Sequence, residues 1–338
     1  MMADPIDVRD EASVSVARER ARALGAAAGL DREAIESLAI VVSELGVNQL
    51  RHARLGELAL GPTSRGGVPG VEVVALDSGF GIADPTAALR GARERPAGAS
   101  LGAGLAGVLR LADEVDVAVR WGAGTCVWAR KFARVPPRRS EVAIVSRPCE
   151  GEAVCGDEAT FTRIGDVVVV GVADGLGHGH AAREASLRAT AVLRAEVDRA
   201  LAERAAPDAL LREIDVALRG TRGAVMAVAR IDPDRRTIEQ ASLGNVSAQL
   251  VRPSGSHRFG SLAGVLGTRR PGPMPALPLE ATPTAPGDAL VLFTDGLSTR
   301  ATLADDHDLA RQHPLVIAHQ MILRFGRRND DALVLVAR

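Results

Sequence analysis

The chain has 338 residues, of which 46% are apolar and 25% are charged, so it is long enough for two domains that each bury a core. Its 41 basic and 42 acidic residues give a formal net charge of -1 without a basic stripe, and only 2% of the residues are aromatic, which argues against a nucleic-acid partner. The three cysteines lack metal-ligand spacing and are typical of reduced, structural thiols.

Membrane and export signals are not evident in the sequence. No run reaches the roughly 18 apolar residues that a membrane-spanning helix needs. The N-terminal stretch MMADPIDVRDEASVSVARER has no apolar core of the kind that signal peptides contain. We therefore expect a soluble, cytoplasmic protein without a membrane partner.

Two helices are predicted at the start of the chain. The patterns VRDEASVSVARERARALGAAAGL and DREAIESLAIVVSELGVNQLRHARLG indicate them, with Asp31 as the N-cap of the second helix and Gly56 at its end. Strands are predicted at ELAL, VEVVAL, VDVAVRW and TCVWARKF, and GASLGAGLAGVLRLADE indicates a glycine-rich loop that leads into a helix. One sheet with helices on one face is the expected fold of this half.

A linker is indicated by ARVPPRRSE, residues 133–141, where prolines and arginines interrupt strand-like sequence. We place the domain boundary near residue 138, which predicts domains of residues 1–137 and 138–338. Strands are then predicted at EVAIVS, ATFTRI, DVVVVGVA, AVMAVARI, TIEQASL, SAQLVR, ALVLFT and ALVLVA, with helices near residues 179–203, 207–219 and 308–324. This mixture indicates an α+β sandwich.

The second predicted helix carries Glu44 and Asn48 on one face, because they lie four residues apart. Alone, such a pair would indicate a solvated polar stripe. Asp77, however, follows a buried strand, where a carboxylate can accept a hydrogen bond from the amino group of adenine. Asparagine on a facing helix offers an oxygen to Mg²⁺. The combination indicates a nucleotide site.

Glycine-rich motifs support the same interpretation. Glycine lets the backbone approach a ligand closely, and backbone N–H groups at the start of a helix bind phosphate. Each motif is weak alone, but their order along the chain is informative. The positions concerned are Gly79, Gly81, Gly102, Gly104, Leu105 and Thr125.

The ordered motifs E-x-x-x-N, D-x-G-x-G, G-x-G-L and G-T resemble the GHKL ATPase fold, and SLGAGLAGVLRLADEVDV is similar to bacterial serine kinases of the RsbT and RsbW type. The resemblance covers about residues 10–134. It implies a Bergerat α/β sandwich that binds ATP with Mg²⁺. By the same resemblance, Asn48 would bind Mg²⁺, Asp77 would bind adenine, and Glu44 would act as general base toward a serine hydroxyl.

The segment between the DSGFG and SLGAG motifs forms a short lid in this resemblance. Its only candidates for phosphate binding are Arg90, Arg93 and Arg95. This departure from the family pattern favours nucleotide binding over kinase activity.

In the C-terminal half, the apolar runs VVVVGVADGLG and DALVLFTDGLS both end in Asp-Gly-Leu. Asp174 and Asp295 therefore follow strands, whereas Asp330 and Asp331 precede the last strand and Asp157 precedes an earlier one. If the last strand is antiparallel to the first two, these carboxylates meet at one end of the sheet. A single Asp-Gly pair, however, more often marks a turn.

Carboxylates crowded at one sheet edge repel each other unless cations bind between them, and oxygen ligands select Mg²⁺ or Mn²⁺ over Zn²⁺. Two such ions about 4 Å apart, bridged by one carboxylate and a water, generate a hydroxide nucleophile for phosphoester hydrolysis. Asp174 is the candidate bridge, and the Gly175 carbonyl is a further ligand. We interpret His178 and His180 as surface or supporting residues, because no cysteine lies near them with zinc-ligand spacing.

The ordered set GD…ADGLGHG…GN…TDGL…NDD resembles the SpoIIE-type branch of the metal-dependent (PPM) serine/threonine phosphatases, and EAVCGDEATF…VVVGVADGLGHGHAAREAS is similar to its RsbX-type members. The resemblance covers about residues 140–338 and implies an α-β-β-α sandwich. It implies a supporting role for Asp331 and a structural one for the loop at Gly244 and Asn245. The metal ligands that it implies are Asp157, Asp174, Gly175, Asp295 and Asp330.

Together the resemblances imply a bacterial partner-switching protein in which an ATP-binding, serine-kinase-like domain is fused to a phosphoserine/phosphothreonine phosphatase. The implied substrates are STAS-domain antagonists or stressosome-like phosphoproteins, with a sigma factor as a further type of partner. One alternative is that the N-terminal domain only binds a nucleotide or a partner. Another is a scaffold of two degenerate enzymes, which the retained aspartates argue against.

Overall fold

The computed structural model of the chain describes residues 4–53, 55–90, 104–134, 141–199, 206–268, 272, 274–298, 300–304 and 306–338. The chain divides into two compact units, Met1–Glu141 and Val142–Arg338. The predicted linker lies mostly outside the described residues. No helix in the described part of the chain is long and apolar enough to cross a membrane.

The N-terminal unit is a sheet with helices packed on it. Its strands are β1 (Ile6–Asp7), β2 (Gly56–Arg65), β3 (Val68–Asp77), β4 (Glu114–Arg120) and β5 (Gly124–Phe132), which lie in the order β1-β2-β3-β5-β4 with antiparallel pairing. Its helices are α1 (Glu11–Ala27), α2 (Arg32–His52), α3 (Pro85–Arg90) and α4 (Leu105–Leu111). Helices α1 and α2 pack together and against β2 and β3, and α4 packs against α2.

Two expectations for the N-terminal unit need correction. Asp31 is the N-cap of α2, as predicted, because its side chain accepts a hydrogen bond from the Ala34 N–H. The helix, however, ends at His52, and Gly56 begins β2 instead of ending the helix. A Cβ at Gly56 would lie 2.7 Å from the Cβ of Gln49, so glycine is needed there for close strand–helix contact. Helix α3 was not predicted at all.

The C-terminal unit is a sandwich of two sheets. One contains β6 (Val142–Arg147), β11 (Ser247–Arg252), β12 (Gly255–Arg258), β14 (Ala289–Phe293) and β15 (Ala332–Ala337) in the order β6-β15-β14-β11-β12. The other contains β7 (Asp157–Ile164), β8 (Val167–Gly175), β9 (Ala224–Asp232), β10 (Thr237–Leu243) and β13 (Glu280–Pro283) in the order β13-β10-β9-β8-β7. The expected α+β class is confirmed.

Helices cover both sheets of the C-terminal unit. Helices α5 (His180–Arg199) and α6 (Pro207–Ala217) pack on the sheet that contains β7–β10, where buried aliphatic side chains such as Leu193, Ile214 and Met226 form the core. Helix α8 (Pro314–Phe325) packs on β6 and β15. The helix predicted at 308–324 is in fact two helices, α7 (His307–Ala310) and α8, because Pro314 begins a new helix.

Candidate functional site

The end of β3 places Asp77 at the edge of a cavity. Its Oδ1 accepts hydrogen bonds from the backbone N–H groups of Gly79 (2.8 Å) and Thr125 (3.3 Å). These two bonds fix the orientation of the carboxylate. Among the described residues nothing donates to Oδ2, so this oxygen can accept a hydrogen bond from a ligand.

The cavity has a volume of about 860 Å³, which is large enough for a nucleotide. Apart from the predicted residues, the unpredicted helix α3 contributes Thr86, Ala87 and Ala88 to its wall. Gly102, Arg93 and Arg95 lie outside the described residues. The structure describes the backbone of Arg90 but not its side chain. The predicted residues that line the cavity are Asn48, Asp77, Gly79, Gly81, Gly104, Leu105 and Thr125.

Helix α2 is fixed next to this cavity. Gln49 donates from Nε2 to the carbonyl oxygens of Glu57 and Leu76, both at 3.0 Å, which ties the helix to the end of the sheet. On the same helix, Asn48 faces Gly104: a Cβ at that glycine would lie 3.5 Å from Asn48 Oδ1. The amide oxygen of Asn48 is therefore near the start of α4, the region for which the sequence predicts phosphate and Mg²⁺ binding.

Glu44 has a different position from the other predicted residues. Its side chain is buried, at 6% exposure, and it is not among the residues that line the cavity. Its Oε2 accepts a hydrogen bond of 3.0 Å from the N–H of Gly104. In this arrangement Glu44 supports the loop at the start of α4.

In the C-terminal unit, Asp157 and Asp174 lie directly opposite each other on the antiparallel strands β7 and β8. Strand β8 is an almost continuous valine run with buried side chains on both faces, so it holds Asp174 at a rigid strand end. Gly175 follows, and a Cβ there would lie 2.0 Å from the carbonyl oxygen of Ala182 in α5. Glycine is thus required for the approach of α5 to the strand end.

Asp295 and Asp330 come from the opposite sheet. Strand β15 is antiparallel to β14, as expected, so the residues after β14 lie next to those before β15. Strand β8, however, is in the other sheet, and the expectation that all these carboxylates lie at the end of a single sheet is wrong. The site is instead at one end of the sandwich, with both sheets contributing.

Hydrogen bonds join the two sheets at this end. Thr294 donates from Oγ1 to Asp157 Oδ2 at 2.7 Å and accepts from the N–H of Leu333 at 3.0 Å. Asp331 is 2% exposed and accepts from the N–H groups of Cys149 and Gly156, both at 2.8 Å. Both Asp331 oxygens are therefore engaged by backbone, which supports its predicted secondary role.

Asn245 has a more direct role than the sequence indicated. It was predicted to be structural, but its Nδ2 donates to Asp295 Oδ2 at 2.6 Å. The motif GN in SLGNVSA was visible in the sequence. Its contact with Asp295 depends on the pairing of β11 with β14, which no local pattern reveals.

The four predicted carboxylates interact through their charges. Burial, followed by repulsion from Asp295, raises the pKa of Asp174 from its usual value to about 8. Burial, followed by repulsion from Asp174, raises the pKa of Asp157 well above its usual range. Burial and then Asp295 also raise the pKa of Asp330. Each of these three carboxyls therefore holds its proton more tightly than usual, and a bound cation would favour their charged forms instead.

Mg²⁺ fits this set of donors. Among the described residues, no group of three or more His, Cys, Asp or Glu side chains is arranged around a single metal position. Mg²⁺ does not need such a group, since it usually retains several waters and binds through one or two carboxylates. Asp157, Asp174, Asp295, Asp330 and the Gly175 carbonyl could therefore hold two ions that share their ligands.

The histidines after Asp174 lie beside this site. His178 is 62% exposed, and its Nδ1 is 2.6 Å from Glu152 Oε1, in the loop between β6 and β7. His180 is the first residue of α5. The Glu152 contact links two loops around the acidic cluster and gives His178 a supporting position.

Comparison with known families assigns both units. The family described as stage II sporulation protein E (SpoIIE) matches residues 165–338. The chain belongs to the SpoIIE family. A histidine kinase-like ATPase domain matches residues 8–131, which contain the Asp77 cavity. The C-terminal fold and the N-terminal ATPase-like domain therefore agree with the resemblances found in the sequence.

Individual relatives cover parts of the chain. The phosphoserine phosphatase RsbX of Bacillus subtilis (strain 168) is 30% identical to this chain over 106 residues. The aligned region is 31% of this chain and 50% of RsbX, so the chain spans about half the length of this curated relative. A solved structure from work on the bacterial stressosome, a modular system adapted to control secondary messenger signalling, is 29% identical with a TM-score of 0.53. The match covers 60% of this chain and all of that one. A structure of RsbX in complex with magnesium is 21% identical, with a TM-score of 0.49, over 60% of this chain and 96% of that one.

Proposed function

We propose that the C-terminal unit of this SpoIIE family member is a phosphoserine/phosphothreonine protein phosphatase that depends on two Mg²⁺ or Mn²⁺ ions. The observation that carries the proposal is the convergence of Asp157 and Asp174 from one sheet with Asp295 and Asp330 from the other. The similarity to the phosphoserine phosphatase RsbX supports the reaction type.

The chain's own residues would perform distinct tasks in hydrolysis. Asp174 lies opposite Asp157 on the neighbouring strand and interacts with Asp295 from the other sheet, which makes it the candidate bridge between the two ions. Thr294 and Asn245 hold Asp157 and Asp295 in place through hydrogen bonds of 2.7 and 2.6 Å. When bound, the ions would supply an activated water and stabilise negative charge on the phosphoryl oxygens.

The test is manganese-dependent hydrolysis of a phosphoserine peptide by the full chain, with Asp174→Asn as the variant and Asp234→Asn, in the exposed turn between β9 and β10, as an acidic control outside the cluster. We expect turnover that requires metal and falls at least about 100-fold in Asp174→Asn. Calorimetric titration with Mn²⁺ should show weaker binding to the same variant. A wild-type protein that neither binds Mn²⁺ nor turns over the peptide would reject the proposal.

We further propose that the N-terminal unit binds ATP with Mg²⁺, with Asp77 at adenine and Asn48 at the ion. The cavity of about 860 Å³ and the open Oδ2 of Asp77 support this. Two activities remain as alternatives for the unit: serine kinase activity with Glu44 as general base, and binding without phosphoryl transfer. The hydrogen bond from Gly104 to Glu44 favours binding alone.

Phosphoryl transfer to a protein substrate distinguishes these alternatives. Glu44→Gln keeps an oxygen that can accept from Gly104 but removes the base. If binding is the sole activity, radiolabelled ATP should bind to wild type and Glu44→Gln alike, without label transfer to a STAS-domain protein by either. Transfer by wild type that is lost in Glu44→Gln would establish the kinase.

For the complete protein we propose a role in partner-switching signalling in the cytoplasm. Its proposed substrates are STAS-domain antagonists or stressosome-like phosphoproteins, and a sigma factor is a further type of partner. The likeness to RsbX and to the stressosome-related structure supports this class of partner. Pull-down of a phosphorylated STAS-domain protein by Asp174→Asn, which would bind but not hydrolyse it, tests the assignment.

A further inference from the structure

Arg222 lies beside the turn that follows Asp174, in the segment that leads into β9. Gly175, the last residue of β8, pairs with Ala224, and the N–H of Leu176 donates to the carbonyl of Gly223 at 3.2 Å. Residues 222–223 therefore run alongside the turn that follows Asp174 and Gly175. The Arg222 side chain reaches this turn: its Nη1 lies 3.2 Å from the position that a Cβ would take at Gly177.

The backbone around Arg222 is fixed by short-range bonds. Thr221 donates from Oγ1 to the carbonyl of Leu218 at 2.7 Å and accepts from the N–H of Gly223 at 3.0 Å. Gly223 has a φ of +87°, a left-handed conformation that favours glycine. The position of Arg222 is thus set by the end of α6 and the start of β9.

The Arg222 guanidinium has no partner among the residues that the structure describes: no hydrogen bond or ion pair involves it, and it is exposed. Two other arginines near this end of the sandwich are engaged. Arg183 donates to the carbonyl of Cys155 at 3.4 Å, and Arg147 donates to the carbonyl of Arg327. The Arg222 guanidinium is therefore an unpaired cation beside the turn that follows Asp174, whereas the charge of Arg327 acts on Asp330.

A guanidinium at this place matches the chemistry of a phosphomonoester. Arginine binds phosphate oxygens through two parallel N–H donors, whereas the carboxylates alone would repel a dianion. We propose that Arg222 binds the phosphoryl oxygens of the substrate at the metal site, and that the unsubstituted Gly177 leaves space for its guanidinium. This inference rests on the proposed phosphatase function and assigns its phosphate-binding residue.

The experiment compares Arg222→Ala and Arg222→Lys with Arg219→Ala, which removes another exposed arginine from the same segment, all in the full chain. Inorganic phosphate is titrated into each protein in the presence of Mg²⁺ by calorimetry. In parallel, KM and kcat are measured for a phosphoserine peptide with Mn²⁺. Circular dichroism and Mn²⁺ affinity check that each variant is folded and holds its metal.

We expect Arg222→Ala to weaken phosphate binding and to raise KM about tenfold or more, with Mn²⁺ affinity unchanged. Arg222→Lys should recover part of both losses, because it keeps the charge but not the two-donor geometry. Arg219→Ala should match wild type. Unchanged phosphate binding and unchanged KM in a folded Arg222→Ala protein, or no saturable phosphate binding to wild type, would overturn the inference.

The two proposals fail in different ways. Turnover by wild type that is unaffected in Arg222→Ala leaves the phosphatase function intact and rejects the role of Arg222. Arg222-dependent phosphate binding without any metal-dependent turnover leaves the phosphate site intact and rejects the phosphatase function.

Discussion

Asp174 and Asp331 lie at the same end of the C-terminal sandwich, but they differ in what surrounds them. Asp174 faces the carboxylates of Asp157 and Asp295, whereas Asp331 accepts hydrogen bonds from two backbone N–H groups. The first carboxylate is therefore destabilised by its neighbours in the absence of metal, and the second is stabilised by them. In the proposed metal site this difference would separate a ligand from a structural residue, and it can be measured.

Asp174→Asn should make the metal-free protein more stable at neutral pH, because the folded wild type must bind a proton at Asp174, whose pKa is raised to about 8, that the unfolded chain has released. We expect a gain of about 1 kcal/mol, which corresponds to a rise in Tm of roughly 2–4 °C. The additional stabilisation that Mn²⁺ gives the wild type should be lost in the variant. Thermal unfolding with EDTA and with excess Mn²⁺ measures both effects.

Asp331→Asn is the matched comparison for this prediction. The amide keeps one acceptor oxygen and presents an NH₂ group to the second backbone donor, so one buried N–H loses its partner. Its metal-free Tm should fall, with a loss of about 1–3 kcal/mol. If Asp174→Asn and Asp331→Asn shifted the metal-free Tm in the same direction, the proposed assignment of Asp174 as a metal ligand and Asp331 as a structural residue would be incorrect.

Asp77→Asn should weaken ATP binding without unfolding the N-terminal unit. The asparagine oxygen can still accept from Gly79 and Thr125, but its NH₂ group would replace Oδ2 and face the amino group of adenine. We expect the affinity for ATP to fall about 10- to 100-fold. The preference for ATP over GTP should also shrink, because guanine carries a carbonyl at the corresponding position.

Titration of both nucleotides into wild type and Asp77→Asn measures that change in preference. A variant that loses ATP and GTP affinity by equal factors would indicate a distorted cavity. A variant that keeps full ATP affinity would show that Asp77 does not contact the base.

The junction between β8 and α5 is the element on which the metal site depends most. Gly175 ends the strand, and its close approach to the carbonyl of Ala182 lets α5 begin immediately beyond the Asp174 turn. A Cβ at 2.0 Å from a backbone oxygen cannot be accommodated by a rotamer change. The strand end and the helix would have to separate.

Gly175→Ala should therefore destabilise the protein by about 1–3 kcal/mol and weaken Mn²⁺ binding as well. Gly260→Ala is a suitable control, because a Cβ at Gly260 meets no atom within 4 Å and its backbone is not left-handed. Denaturant unfolding and calorimetry on the two variants provide the measurement. Wild-type stability in Gly175→Ala would mean that α5 can move without cost.

Local sequence patterns predicted most elements because they depend on neighbouring residues. Valine runs indicated β8, and Asp31 indicated the start of α2, since strand propensity and N-capping act within a few positions. Pairing between distant strands is not encoded locally. The assignment of Asp157 and Asp174 to one sheet and of Asp295 and Asp330 to the other, and the contact of Asn245 with Asp295, therefore required the structure.

At the scale of the whole molecule, each candidate site is contained in one compact unit. The cavity at Asp77 is lined by residues between Leu45 and Val127, and the acidic cluster extends from Asp157 to Asp330. Opposed kinase and phosphatase activities on one chain would consume ATP without net effect if both acted on the same phosphoprotein. Separate substrates, or an N-terminal unit that only binds nucleotide, would avoid this cycle.

Because no described residue serves both sites, changes in one site should leave the other site's binding unchanged. We expect Asp77→Asn to keep manganese-dependent turnover within about twofold of wild type. Asp174→Asn should keep the affinity for ATP within about twofold of wild type. In the double variant, the effects of the two substitutions on the free energy of unfolding should add to within about 0.5 kcal/mol. Turnover with and without ATP, ATP titration and denaturant unfolding of the four proteins provide the comparison. The opposite result would be a change of more than about twofold in wild-type turnover when ATP is added, with no such change in Asp77→Asn. It would show that nucleotide bound to the N-terminal unit controls hydrolysis in the C-terminal unit, because a coupling free energy between two sites appears as an effect of one ligand on the other.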